Sequence, residues 1–292
     1  MTTKFGVHAL VFTSDWNAAT APAACRTAAE IGYDLVEVLI FDPATMDSEM
    51  TARAAREAGI GLRLGMALGP ATDISSPDPE IAARGEAMVT RCMEIAAELG
   101  APAVSGIIYA AFNGYTAAPT VAQRAQVAAA LARLDRRAGE LGIRLGIEPV
   151  NRYESYMVNT LDQGADLIRQ SGGRNLFLHL DTFHMNIEEG DIPGAIHRNA
   201  AHLGYAHLAD NHRGLLGSGT FDLKAFFRAL AAAGYTGDYT VESFSPVPLG
   251  ADLAGGLRLW RQAWAEPAAA ARTALEVMRR AHADAQAALN VW

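Results

Sequence analysis

Residues 176–210 read LFLHLDTFHMNIEEGDIPGAIHRNAAHLGYAHLAD. An apolar run, Leu176–Asp181, ends in a carboxylate. A segment of helical period follows over Pro193–Ala201, then Gly204, then a second apolar run, Tyr205–Leu208, which holds a histidine. Short runs rich in Val, Ile and Leu that alternate with helical periods imply parallel strands joined by crossover helices. The same unit recurs outward in both directions. Strands are expected at Gly6–Phe12, Leu35–Phe41, Gly61–Met66, Ala103–Ile108, Arg144–Glu148, Leu176–Asp181, Tyr205–Leu208 and Tyr239–Glu242. Helices are expected at Ala18–Ile31, Ser48–Ala58, Pro79–Leu99, Val121–Leu141, Leu161–Ser171, Pro193–Ala201 and Leu223–Ala233. Gly32, Gly59, Gly100, Gly142, Gly172, Gly204 and Gly234 follow these helices, where a left-handed residue ends the helix. Right-handed crossovers close eight such units into a single (β/α)8 TIM barrel.

The pattern changes after Glu242. Residues Pro246–Gly256 read as a Pro/Gly loop, and Leu257–Trp264 and Pro267–Leu289 as helices. Leu275, Met278 and Leu289 form a stripe on the last helix, which is expected to cover the barrel flank. Residues 1–292 thus read as one TIM-barrel domain with a C-terminal helical extension over about 257–292.

Half of the residues are hydrophobic, enough for a large core. The net charge is −8 with no basic run, which argues against nucleic acid and anionic membranes as partners. No apolar stretch reaches the ~18 residues of a membrane span. The opening MTTKFGVHALVF lacks the shape of a signal peptide, and Cys25 and Cys92 stand alone in helical segments. Buried thiols in a reducing cytosol are the expected reading.

Four metal-type residues stand at the ends of four consecutive strands: Glu148, Asp181, His207 and Glu242. By their numbers they lie 33, 26 and 35 residues apart, about one βα unit each. Barrel enzymes place their catalysis at this C-terminal rim. A lone strand-end carboxylate is usually a helix cap or a solvated anion, but four in succession converge on one point. Three carboxylates packed together repel unless a cation or protons neutralise them. Oxygen ligands with one imidazole favour Mn2+, Co2+ or Mg2+, and Zn2+ usually keeps fewer carboxylates. Such a cation polarises a carbonyl and stabilises an enediolate. Glu148 and Glu242 are also proton carriers. One removes a C–H proton beside the carbonyl and the other returns a proton on the opposite face, which is epimerisation.

Glu154, His184 and Arg213 follow three of these residues closely and are expected over the rim on βα loops, as contacts for a polar substrate. Competing readings are a salt bridge to Asp210 for Arg213 and a capping contact for His184. GLLGSG at 214–219 reads as a turn, since it lacks a dinucleotide context. With Arg213 the only cation near it, a phosphorylated substrate is disfavoured. His8 is placed at the barrel mouth or in the core. Phe112, Tyr109 and Trp16 wall the pocket or fill the core. Glu37, an acid inside strand 2, is expected to be hydrogen-bonded within the barrel.

The stretches IEPVNRYES with VNT, LDTFHMNIEEG, HLADNHRG with GSGT, and VESF closely resemble the ketose 3-epimerases. These are the D-tagatose, D-allulose (D-psicose) and L-ribulose 3-epimerases of the xylose-isomerase-like barrels. The resemblance spans nearly the whole chain and is most specific at DTFHMNIEE. It implies a metal, usually Mn2+, on Glu148, Asp181, His207 and Glu242, with Glu148 and Glu242 as the proton-transfer pair. It implies Glu154, His184 and Arg213 on the O1–O3 end of a free ketose, and His8, Met66 and Phe112 around a more apolar far end. It also implies a homodimer or homotetramer. His8 stands where relatives tend to carry an aromatic, and LADNH departs from the commoner loop, so the choice of ketose stays open. Hydroxypyruvate isomerase and inosose dehydratase chemistry on the same barrel are the alternatives. The chain's two lysines, Lys4 and Lys224, lie away from strand ends, which argues against hydride-shifting isomerases and Schiff-base aldolases.

Overall fold

The computed structural model describes residues 3–289; the last residues assigned to the C-terminal extension, 290–292, lie outside the described residues. Eight parallel strands close in sequence order. They are β1 (Phe5–His8), β2 (Leu35–Ile40), β3 (Gly61–Leu68), β4 (Ala103–Ala111), β5 (Arg144–Ile147), β6 (Leu176–Asp181), β7 (Leu203–Leu208) and β8 (Asp238–Val241). Around them lie α1 (Ala21–Ile31), α2 (Ser48–Ala58), α3 (Pro79–Leu99), α4 (Val121–Leu141), α5 (Leu161–Ser171), α6 (Thr182–Glu188), α7 (Ile192–Arg198) and α8 (Leu223–Ala232). α9 (Pro246–Gly256) and α10 (Pro267–Leu289) follow the barrel. No helix among the described residues is long and apolar enough to cross a membrane.

The expected strands are all present, with ends shifted by a few residues. β1 stops at His8 because the His8 side chain accepts the Leu10 N–H and caps a short 3-10 turn over Ala9–Val11. Each of α1 to α5 ends at a glycine in the left-handed region. Gly204 departs from that role: it is the second residue of β7, packed against the Phe177 ring. DTFHMNIE, expected as a loop, is α6. The Asp181 side chain caps it by accepting the His184 N–H at 3.0 Å.

The C-terminal reading is corrected in two places. Residues Pro246–Gly256 are helical, broken only where Gly250 turns positive in φ; prolines at the first turn are compatible with a helix start. Residues 257–264, expected helical, are irregular. α10 packs on α8 and α1, with Leu275 and Met278 buried and Leu289 exposed, so it covers the barrel flank.

Candidate active site

Strand pleating sets the layers of the interior. Side chains two residues apart share a face. His179 and Asp181 on β6 therefore point inward together, as do Tyr205 and His207 on β7. Asp181 pairs with His207 in the ladder, and His207 with Thr240 of β8. Glu148 and Glu242 extend β5 and β8 by one hydrogen bond each, to the carbonyls of Gly106 and Leu208. The close approach at Gly106 needs glycine: its φ is +130°, and a Cβ would lie 2.0 Å from the Met66 carbonyl oxygen.

This brings the four expected residues to one point. His207 Nδ1 lies 3.9 Å from Glu148, 3.8 Å from Asp181 and 3.7 Å from Glu242. All four side chains are buried. Asp181 Oδ2 and His207 Nδ1 have no hydrogen-bond partner. Orphaned buried polar atoms are costly unless something binds them. Asp181, His207 and Glu242 offer ligand atoms within 4.8 Å of one another, and Glu148 joins similar groupings with His179 or His184. Three carboxylates and one imidazole suit a hard divalent cation.

The charges differ within this cluster. Burial drives Glu148 well above the usual carboxylate range. Burial, then Glu242, pushes Asp181 up to about 7. Burial acts on Glu242 too, but Arg213 and His207 outweigh it and hold that carboxyl below the usual range. Burial disfavours a charged His207, yet Glu37, Glu242 and Glu148 overcome it and raise the imidazole to about 10. The same ion pair with His207 holds Glu37 down to about 2 against the effect of burial.

The substrate-side expectations divide more finely. Arg213 is buried and does not bridge to Asp210. Its guanidinium donates to Glu242 at 2.7 Å and Glu154 at 3.2 Å. It lies between two rings, 4.5 Å from Phe183 and 5.3 Å from Phe244. Its φ of +55° is unusual for a side-chain-bearing residue, and such strain clusters at functional sites. Asp210 instead accepts the N–H groups of Gly217 and Gly219, which makes 214–219 a turn wrapped on a carboxylate. His184 stands in the first turn of α6 rather than on a loop. Its Nδ1 accepts the Asn151 backbone N–H at 3.1 Å, with the Asn151 amide 2.8 Å away. That puts the proton on Nε2, 3.8 Å from both Glu148 and Glu154 and 3.4 Å from Arg213 Nη2. Burial keeps His184 neutral.

These groups line one end of a cavity of about 390 Å3. The rest of its wall is mostly apolar, with Leu10, Leu39, Phe41, Met66, Phe112, Phe244, Leu253 and Leu257, and it includes Ser105. His8 lines it as well. Its Nδ1 is spent on Leu10, so its Nε2–H is available to a ligand. Tyr109 belongs to the core, with its hydroxyl between the Glu148 and Val158 carbonyls. Trp16 lies in a separate groove and donates to Thr51. Sequence reasoning missed His179, which is fully buried with neither ring nitrogen partnered, 3.7 Å from Glu148. It also missed Asn151. Stepping back two residues from Asp181 would have found His179.

A profile of the xylose isomerase-like TIM barrel family matches residues 25–281. The chain is 39% identical to a ketose 3-epimerase of Arthrobacter globiformis over 263 residues, 90% of this chain and 91% of that protein. It is also similar to a solved D-allulose 3-epimerase of Methylomonas sp. in complex with D-allulose. The TM-score there is 0.93 at 36% identity, covering 96% of this chain and 97% of the other. A solved L-ribulose 3-epimerase superposes at TM-score 0.95 with 35% identity over 99% and 98% of the two chains. The chain belongs to the ketose 3-epimerase family of carbohydrate epimerases, within the xylose isomerase-like TIM barrels.

Proposed function

We propose that this chain is a divalent-metal-dependent ketose 3-epimerase acting on free ketoses of the D-tagatose, D-fructose/D-allulose and L-ribulose type. The observation that carries this reading is His207 Nδ1 standing within 3.7–3.9 Å of three carboxylates at the polar end of the cavity. Glu148, Asp181, His207 and Glu242 would hold the cation, for which Mn2+ is the first candidate and Co2+ and Mg2+ share the same ligand preferences. When bound, the cation supplies Lewis-acid polarisation of two neighbouring substrate oxygens.

The residues of the chain do the rest. Glu242, held ionised by Arg213, is placed to take a proton from C3. Glu148 would return one on the other face. A pair of carboxyls in one site provides one base and one acid. The reverse reaction exchanges the roles. The His184 Nε2–H, Glu154 and Arg213 orient the O1–O3 end of the ketose. His8 and Phe112 meet its far end, where one donor and an apolar wall fix little of the stereochemistry. We read residues 1–292 as a single domain of a cytoplasmic protein, in accord with the two buried free thiols. Exposed Tyr153 and Trp260 accord with assembly into a homodimer or homotetramer.

The test is an NMR assay in D2O on D-tagatose, D-fructose, D-allulose and L-ribulose, with metal removed and with Mn2+ restored. Metal-dependent formation of the C3 epimer with deuterium at C3 is expected. Deuterium at C1 would reassign the chain to aldose–ketose isomerisation, and no turnover of any ketose would move the search to hydroxypyruvate and inososes.

A further inference from the structure

One layer below the four converging residues, the barrel interior is organised around Glu37 of β2. This carboxylate is buried, and its Oε2 lies 2.6 Å from His207 Nε2. The same oxygen accepts the Tyr205 hydroxyl at 2.5 Å, and that hydroxyl also contacts Thr240. Space for the carboxylate is built into the neighbouring strand: a Cβ on Gly65 of β3 would come within 2.9 Å of Glu37 Oε1. Arg63, ion-paired to Asp238, lies over the Tyr205 ring at 5.1 Å and holds it from below. At the opposite edge of the His207 ring, Nδ1 has no partner and faces the three carboxylates.

A neutral imidazole has one N–H and one lone pair, and the hydrogen bond made by one nitrogen decides the state of the other. An ionised carboxylate only accepts. Glu37 therefore accepts the hydrogen bond from Nε2–H, which leaves the lone pair on Nδ1. We propose that Glu37 is the positioning residue of the metal site: it fixes His207 in the Nε2–H form, aims Nδ1 at the cation and makes it a better donor, while Tyr205 locks the Glu37 carboxylate. A carboxylate bonded to the far nitrogen of a ligand histidine orients the ring and raises its basicity. This inference rests on reading His207 as a metal ligand, and its test separates the two.

The full chain, stripped of metal, is titrated with Mn2+ and free Mn2+ is read by EPR. Glu37→Gln is expected to weaken binding roughly 10–100-fold, the usual cost of losing such a partner. Tyr205→Phe is expected to weaken it by less than about tenfold, because the carboxylate stays. His207→Ala serves as the control. If it leaves affinity unchanged, the ligand reading fails. If it weakens binding while a folded Glu37→Gln binds as tightly as the unsubstituted protein, only the role of Glu37 fails. Nitrogen-15 NMR of the unsubstituted protein loaded with Zn2+ gives an answer that needs no variant. A proton on His207 Nε2 and metal on Nδ1 are expected; metal on Nε2 would overturn the proposal.

Discussion

The two ends of the cavity are built by different means. At the charged end several groups are held by directed contacts. His184 is set by Asn151, Arg213 by two glutamates and two aromatic rings, and His207 by Glu37. At the apolar end Leu10, Leu39, Phe41, Leu253 and Leu257 offer surface and no directed contact. Directed contacts discriminate strongly, because an unmatched buried polar group is expensive. Apolar walls discriminate weakly. On the proposed function, this difference would assign the chemistry to one end and the choice among sugars to the other.

Removing a proton carrier should give the largest effect. Glu148→Gln or Glu242→Gln is expected to lower kcat by roughly 10²–10⁴-fold, the share general acid–base catalysis commonly supplies. The fold should survive, since Gln keeps the shape of Glu and Arg213 keeps its ion pair with Glu154. Turnover by NMR and a thermal melt check both halves, and a folded, fully active variant would end the two-base reading.

Arg213→Ala comes next. A residue that only binds substrate raises KM and spares kcat. Arg213 also holds Glu242 ionised across 2.7 Å, so kcat is expected to fall along with the rise in KM. Steady-state kinetics over several pH values decides. An unchanged kcat would confine Arg213 to binding and weaken the contrast in charge between the two glutamates.

Metal removal should expose the cluster to pH. Asp181 is raised from 3.8 to about 7 and His207 from 6.5 to about 10 in the folded chain. Groups raised on folding favour the fold at low pH, and that contribution is lost as pH climbs through the folded value. The Tm of the stripped protein is therefore expected to fall between about pH 4 and about 10. Added Mn2+ should offset the loss increasingly as pH rises, because a cation competes with fewer protons. A calorimetric Tm that is flat across that range, with and without metal, would contradict the assigned cluster.

The barrel was legible because strand runs, helical periods and glycine stops agree with one another. The converging residues were legible because each stands within one residue of a strand end. The surrounding positions were less so. α6 reads as a loop in the sequence because its seven residues carry too little period to register, and its cap, Asp181, also serves the converging cluster. One oxygen of that carboxylate caps the helix and the other is left without a partner. Glu37 was expected to find a hydrogen bond, but which partner it found depends on barrel closure across 170 residues of sequence. The roof over the apolar end was misread because prolines and glycines in 246–256 look like a loop, whereas prolines in a first turn and a glycine at the kink suit a broken helix.

That roof yields the smallest predicted effect. Leu253 lies on α9 and Phe41 just beyond β2, half of it exposed, and both line the apolar end far from the directed contacts. Leu253→Ala and Phe41→Ala remove wall without removing a hydrogen bond. Trimming an apolar wall is worth about 1–3 kcal/mol at most. We expect kcat on any one ketose to stay within about threefold of the parent enzyme, since the proton carriers are untouched, while the ratio of kcat/KM between five- and six-carbon ketoses shifts by up to roughly tenfold. Competition between L-ribulose and D-allulose in one NMR tube reads that ratio directly. A large fall in kcat would mean that the roof also orders the charged end, for which Phe244 is the evident route: it lines the cavity, packs edge-on to His8 and faces the Arg213 guanidinium. An unchanged ratio would instead place the selection among ketoses at a directed donor of the cavity wall such as His8.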